Sequence, residues 1–83
     1  MKKLNFGCGL DIRMGYINTD IVKMPGVDAV HNFNRFPYPF KNNTFDEIYT
    51  SHVLEHLDNL PRVMKELKRI SKNETKIIIR VPH

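Results

Sequence analysis

The chain has 83 residues, 41% of them hydrophobic and 27% charged, and Lys and Arg outnumber Asp and Glu by 13 to 9 for a net charge of +4. One domain over residues 1–83 is the most this length supports, folding buries only about 60% of the unfolded chain's surface, and the composition argues against disorder. The single Cys8 excludes an internal disulfide framework, no apolar run reaches the roughly 20 residues of a membrane span, and Lys2-Lys3 leading straight into Leu4-Asn5-Phe6 does not read as a signal peptide. A reduced, cytoplasmic protein without a membrane partner is expected.

Lys2–Phe6 reads as a short strand that stops at the turn Gly7-Cys8-Gly9. Tyr16–Ile21 alternates as a second strand, and Pro25-Gly26 breaks the chain before a third, Val27–Phe33. The polar, Pro-rich stretch from Asn34 to Thr44 precedes a fourth, Phe45–Thr50, with Phe45, Ile48 and Tyr49 as its buried residues. The period then changes. Leu60, Val63, Met64, Leu67 and Ile70 recur at spacings of three and four, one apolar stripe on an α-helix. Asp58 or Asn59 caps its start, Pro61 is tolerated in the first turn, and Arg62, Lys65, Glu66, Lys68 and Arg69 face water. Lys76–Val81 is a fifth strand, and Ile77-Ile78-Ile79 predicts cover on both of its faces.

Strands with an intervening helix point to an α/β fold: a truncated, Rossmann-like parallel sheet of about five strands and one main helix. Parallel neighbours usually need a crossover of about a dozen residues. The Gly7–Gly15 and Val22–Val27 connections are too short for helices, so one face of the sheet is expected to be thinly covered. The basic residues gather in the helix, from Arg62 to Lys72. A solvated helix face accounts for them more simply than a polyanion footprint, because no aromatic residues interleave with them.

The glycine turn lets the backbone approach a ligand, because glycine has no Cβ to obstruct it. A dinucleotide fingerprint would need a third glycine where Ile12 stands and an acid about 20 residues on; Asp20 comes too early, which disfavours NAD. A carboxylate ending a second parallel strand suits the two hydroxyls of a ribose. A tight turn beside a surface acid explains the same residues equally well.

Leu4-Asn5-Phe6-Gly7-Cys8-Gly9 followed by Gly15-Tyr16-Ile17-Asn18-Thr19-Asp20 resembles the first two motifs of class I S-adenosylmethionine-dependent methyltransferases, of the methyltransferase type 11 kind. Phe36–Phe40 through Asn43–Tyr49 is similar to that family's approach to its fourth strand, and Ser51-His52-Val53-Leu54-Glu55-His56-Leu57 to the motif after it. The resemblance covers essentially the whole chain. It implies S-adenosylmethionine as cofactor, with Gly7, Cys8 and Gly9 under its methionine part and Asp20 on its ribose hydroxyls. Asn32 falls near the adenine amino group, and Ser51 and His52 line the pocket beside the sulfonium. His52 is the candidate base toward a methyl acceptor. Asn5 and Asn32 stand where the family usually carries acids, and the chain stops after the fifth strand. The expectation is the cofactor half of a methyltransferase, a fragment or a reduced relative, with an oligomer covering an exposed sheet face.

His52-Val53-Leu54-Glu55-His56 also spells H-x-x-E-H, in which two histidines on one helix share a metal and the Glu acts as base. No companion motif accompanies Glu66 or Glu74 downstream, so no metal is assigned. Cys8 is either a nucleophile or a small residue in a crowded turn, and the second is favoured because no base is evident nearby. Phe36, Tyr38 and Phe40 either cover the ligand or cap the core. The chain is read as a methyltransferase acting on an unidentified acceptor; the alternatives are a non-catalytic cofactor- or partner-binding module and, less favoured, a hydrolase built on His52, Glu55 and His56.

Overall fold

The protein is described by a computed structural model over residues 1–80. Five strands form one parallel sheet: β1 (Lys3–Phe6), β2 (Ile17–Asp20), β3 (Ala29–Val30), β4 (Phe45–Ser51) and β5 (Ser71–Arg80), in the order β3-β2-β1-β4-β5. One 3-10 turn (Leu54–His56) and one helix, α1 (Leu60–Ile70), lie between β4 and β5. This is the truncated Rossmann-like sheet expected from the sequence. Strand order reverses between β1 and β4, and in such sheets ligands sit in the crevice beyond the strands' carboxyl ends at that point.

Side chains alternate between the two faces of each strand. Leu4 pairs with Ile48 in register, so both point to the same side. Both are fully buried there with Phe6 and with Val63, Leu67 and Ile70 of α1, and Phe33, Tyr38, Phe45 and Leu54 close the cluster. The apolar stripe thus buries its centre, while Leu60 and Met64 at its flank stay exposed. Asn59 caps α1 by accepting from the Arg62 N–H at 3.2 Å, and Pro61 sits in the first turn. Asn59→Ala is expected to destabilise the fold by about 1 kcal/mol, measured by urea unfolding; an unchanged midpoint would show that the cap contributes nothing.

The opposite face carries Asn5, Asn18 and Tyr49 at matching register. No helix covers it. The 7–16 connection lies across it as an ordered strap. Asn5 Nδ2 donates to the Asp11 carbonyl (2.7 Å) and to Asn18 Oδ1 (2.9 Å). Asn18 Oδ1 also accepts from the Arg13 N–H (3.0 Å), and the Arg13 guanidinium lies 3.6 Å from the Tyr49 ring centroid. The thin cover anticipated from the short connections is therefore a hydrogen-bonded loop. Asn5, which stands where the family usually carries an acid, is buried in that network and holds the strap.

Three further expectations are corrected. The third strand is only two residues long, because Asn32 Oδ1 accepts from the Asn34 N–H (3.0 Å) and turns the chain. The isoleucine run is not covered on both faces: Ile77 is 37% and Ile79 41% exposed. β5 is the sheet's edge strand, and α1, whose flank at Met64 and Lys68 borders Ile77, leaves that margin partly open. Residues 71–75 join this strand with an irregular register against β4, and Val81 lies outside the described residues. Glu66 does not face water. Its carboxylate is buried, accepts from the Tyr38 N–H (2.7 Å), and receives Nε and Nη2 of Arg69 at 2.7 and 2.9 Å. Arg69 also donates to the Phe40 and Tyr38 carbonyls, so this pair fastens the 38–42 loop to α1. No helix among the described residues is long and apolar enough to cross a membrane.

Candidate functional site

A cavity of about 420 Å³ opens at the carboxyl ends of β1, β2 and β4. Gly7, Cys8, Gly9, Asp20, Asn32, Ser51 and His52, dispersed in sequence, all line it. Ile21, Phe33, Asn34, Val53, His56 and Leu57 complete the wall. Sequence reasoning had not assigned these six to a cofactor. Their signal is positional only, since each lies within a few residues of a strand end.

The floor is built by the glycine turn. Gly7 has φ +73°, and a Cβ there would lie 2.5 Å from Val53 Cγ2, so only glycine lets the turn close against the segment after β4. Gly9 has φ +54°, and a Cβ on it would meet nothing within 4 Å. Its backbone borders open space, and Gly9 lines the cavity. The Cys8 N–H donates to the Thr19 carbonyl at 2.7 Å, which locks the turn onto β2. The Cys8 thiol is buried, and burial, followed by the nearby Asp20 charge, pushes its pKa up. A thiol held protonated is a poor nucleophile. Cys8 is the small residue of a crowded turn.

Asp20 ends β2 with its carboxylate fixed from two sides. Oδ2 accepts from the Gly9 N–H at 3.0 Å and Oδ1 from the Ile21 N–H at 2.7 Å. Two ionised oxygens offer about four lone-pair sites, so acceptor capacity remains toward the cavity. Asn32 enters the wall through the turn described above, its Oδ1 on the Asn34 N–H. Asn34 Oδ1 in turn accepts from the Asp58 N–H at 3.0 Å, which ties this rim to the start of α1.

β4 delivers Ser51 and His52 to the far wall. His52 has φ +59°, a conformation uncommon for residues other than glycine and often found where a site demands it. Its N–H is held by the Arg80 carbonyl (2.7 Å) of the neighbouring strand. The imidazole is 59% exposed, with Nδ1 4.0 Å from Glu55 Oε2. The helix that the H-x-x-E-H pattern requires does not form. His52 precedes a three-residue 3-10 turn anchored by buried Leu54, so His52 and His56 are not stacked on one helical face. Among the described residues no three His, Cys, Asp or Glu side chains are grouped to hold a metal ion. Phe36, Tyr38 and Phe40 belong to the core side, and the aromatic ring at the cavity is Phe33.

Comparison with known proteins agrees with this architecture. An uncharacterized protein of Methanocaldococcus jannaschii is 46% identical over 41 residues, covering 49% of this chain and 18% of that protein. A sterol 4-C-methyltransferase of Caenorhabditis elegans is 42% identical over 41 residues, covering 49% of this chain and 12% of that enzyme. The matched segment thus spans less than a fifth of either relative. No solved structure matches the chain. A family model described as a methyltransferase domain matches residues 1–83 throughout, and with its parallel sheet and glycine turn the chain belongs to the class I, Rossmann-like methyltransferase domain family.

Proposed function

We propose that this chain holds S-adenosylmethionine at the carboxyl ends of β1, β2 and β4 and is the cofactor-binding part of a methyltransferase. The observation that carries the reading is the Asp20 carboxylate, oriented by the Gly9 and Ile21 N–H groups at the wall of a cavity floored by glycine. A nucleoside cofactor has a polar sugar edge between a flat apolar base and a charged tail. The residues present fit that order. Asp20 accepts from the ribose hydroxyls, Phe33, Ile21 and Leu57 supply apolar walls for the base, and Asn32 offers an amide at its edge. The Gly7–Gly9 backbone admits the amino-acid end, opposite Ser51 and His52. Pockets of roughly 300–1,000 Å³ suit ligands of this size.

The cofactor supplies an already activated methyl group on a sulfonium, so the chain needs no nucleophile of its own. Its residues orient the ligand, exclude water from the reacting side and, at His52, take a proton from an acceptor that must lose one. Calorimetric titration of the chain with S-adenosylmethionine and S-adenosylhomocysteine tests the reading, with zinc as control titrant. Saturable micromolar binding of both is expected. Absence of binding, or zinc binding in its place, would sink it. Methyl transfer by this chain alone would separate an enzyme from a binding module.

A further inference from the structure

A second cavity, of about 320 Å³, lies away from the first, between the Phe36-Pro37 segment and the outer side of α1. Its wall holds Arg62, Lys65 and Arg69 with a single carboxylate, Glu66, so the lining carries two surplus positive charges. The distribution of that charge is specific. Glu66 is spent on Arg69 and on the Tyr38 N–H, and Arg69 is further tied to the Phe40 and Tyr38 carbonyls and to Asn42 Oδ1. This pair is neutral and structural. Arg62 and Lys65 form no ion pair among the described residues.

Arg62 is nevertheless positioned. Its guanidinium lies over the Phe36 ring, 4.7 Å from the centroid, and that ring stacks on buried Tyr38 with centroids 5.3 Å apart. Stacking on an aromatic face restrains a guanidinium while its N–H donors remain in plane for an anion. Lys65 follows one helical turn later and adds a second cation on the same side of α1. We propose that this groove binds the phosphate group of a small phosphorylated molecule or free phosphate, with Arg62 and Lys65 as its ligands. Two surplus charges match a phosphate dianion. The Phe36 ring already carries the guanidinium, so the groove recognises charge and not a nucleobase. The inference does not depend on the cofactor reading of the first cavity.

Titration of the chain with inorganic phosphate and with glycerol 3-phosphate, followed by amide chemical shifts, tests it; the tighter of the two identifies the source. Saturable shifts centred on Phe36, Arg62 and Lys65 are expected. Both side chains are exposed, so Arg62→Gln/Lys65→Gln keeps the fold and weakens binding about tenfold or more. Lys68→Gln removes the same charge from α1 outside the groove and leaves the affinity within about twofold, as a contact-dependent site requires. Asp20→Ala also leaves it unchanged. Neither probe saturating, or Lys68→Gln weakening binding as much as a groove substitution, would overturn the proposal, the second because long-range charge alone would then explain it.

Discussion

Asp20→Ala is expected to weaken S-adenosylhomocysteine binding about 100-fold or more. Two hydrogen bonds from ribose hydroxyls to an ionised carboxylate contribute about 1.5–3 kcal/mol each, and 3 kcal/mol already exceeds a factor of 100. The substitution also removes the acceptor of the Gly9 N–H, so the glycine turn loses one of its ties to β2. Asp20→Asn keeps a side-chain acceptor for that N–H but turns one oxygen into a donor, and an intermediate affinity is expected from it. Circular dichroism of both variants separates a local loss of affinity from unfolding. A folded Asp20→Ala chain that binds as tightly as the parent would place the ribose elsewhere.

Glu66→Ala is expected to reduce folding stability by about 3 kcal/mol, toward the lower end for breaking a buried ion pair because Arg69 keeps partial access to water. The loss is double. The Tyr38 N–H and the Arg69 guanidinium are left without their acceptor, and the 38–42 loop comes away from α1. For a domain of this size the whole margin is about 3–5 kcal/mol, so much of the chain would be unfolded at ambient temperature. The Arg69 hydrogen bonds hold the Glu66 carboxyl below the usual glutamate range. Its contribution is therefore complete above the ordinary glutamate pKa and disappears as pH falls through the lower folded value. Urea unfolding of the parent at neutral pH and in mild acid should show that loss. Glu66→Gln, with no proton to gain, should show less of it. Equal acid sensitivity in both would assign the effect to other carboxylates.

Glu66 also shows where sequence reasoning stops. Its neighbours Arg62, Lys65, Lys68 and Arg69 made that side of the helix read as solvated, and periodicity alone cannot report that a Pro-rich loop folds back over it. Asn5 teaches the same lesson from the opposite face: the sequence shows only an amide where the family usually carries an acid, whereas its partners Asp11 and Asn18 depend on how the 7–16 strap crosses the sheet. The H-x-x-E-H pattern needs a continuous helix, and packing of Leu54 into the core sets a 3-10 turn there instead.

Local chemistry was enough for the rest. Alternating strands, the three-four stripe from Leu60 to Ile70, the Asn59 cap and the glycine turn each depend on neighbours within a few positions, and together they determined a short parallel α/β chain. The seven candidate residues were legible because the ends of successive parallel strands must converge at one edge. Which residues became the apolar wall, which face the loops covered and which charged side chain was buried depended on contacts between separate segments, from 6 positions apart at Asn5 and Asp11 to 28 at Tyr38 and Glu66. Only the tertiary structure decided those, because burial belongs to a position in space, and nothing in a local window records what will be packed against it.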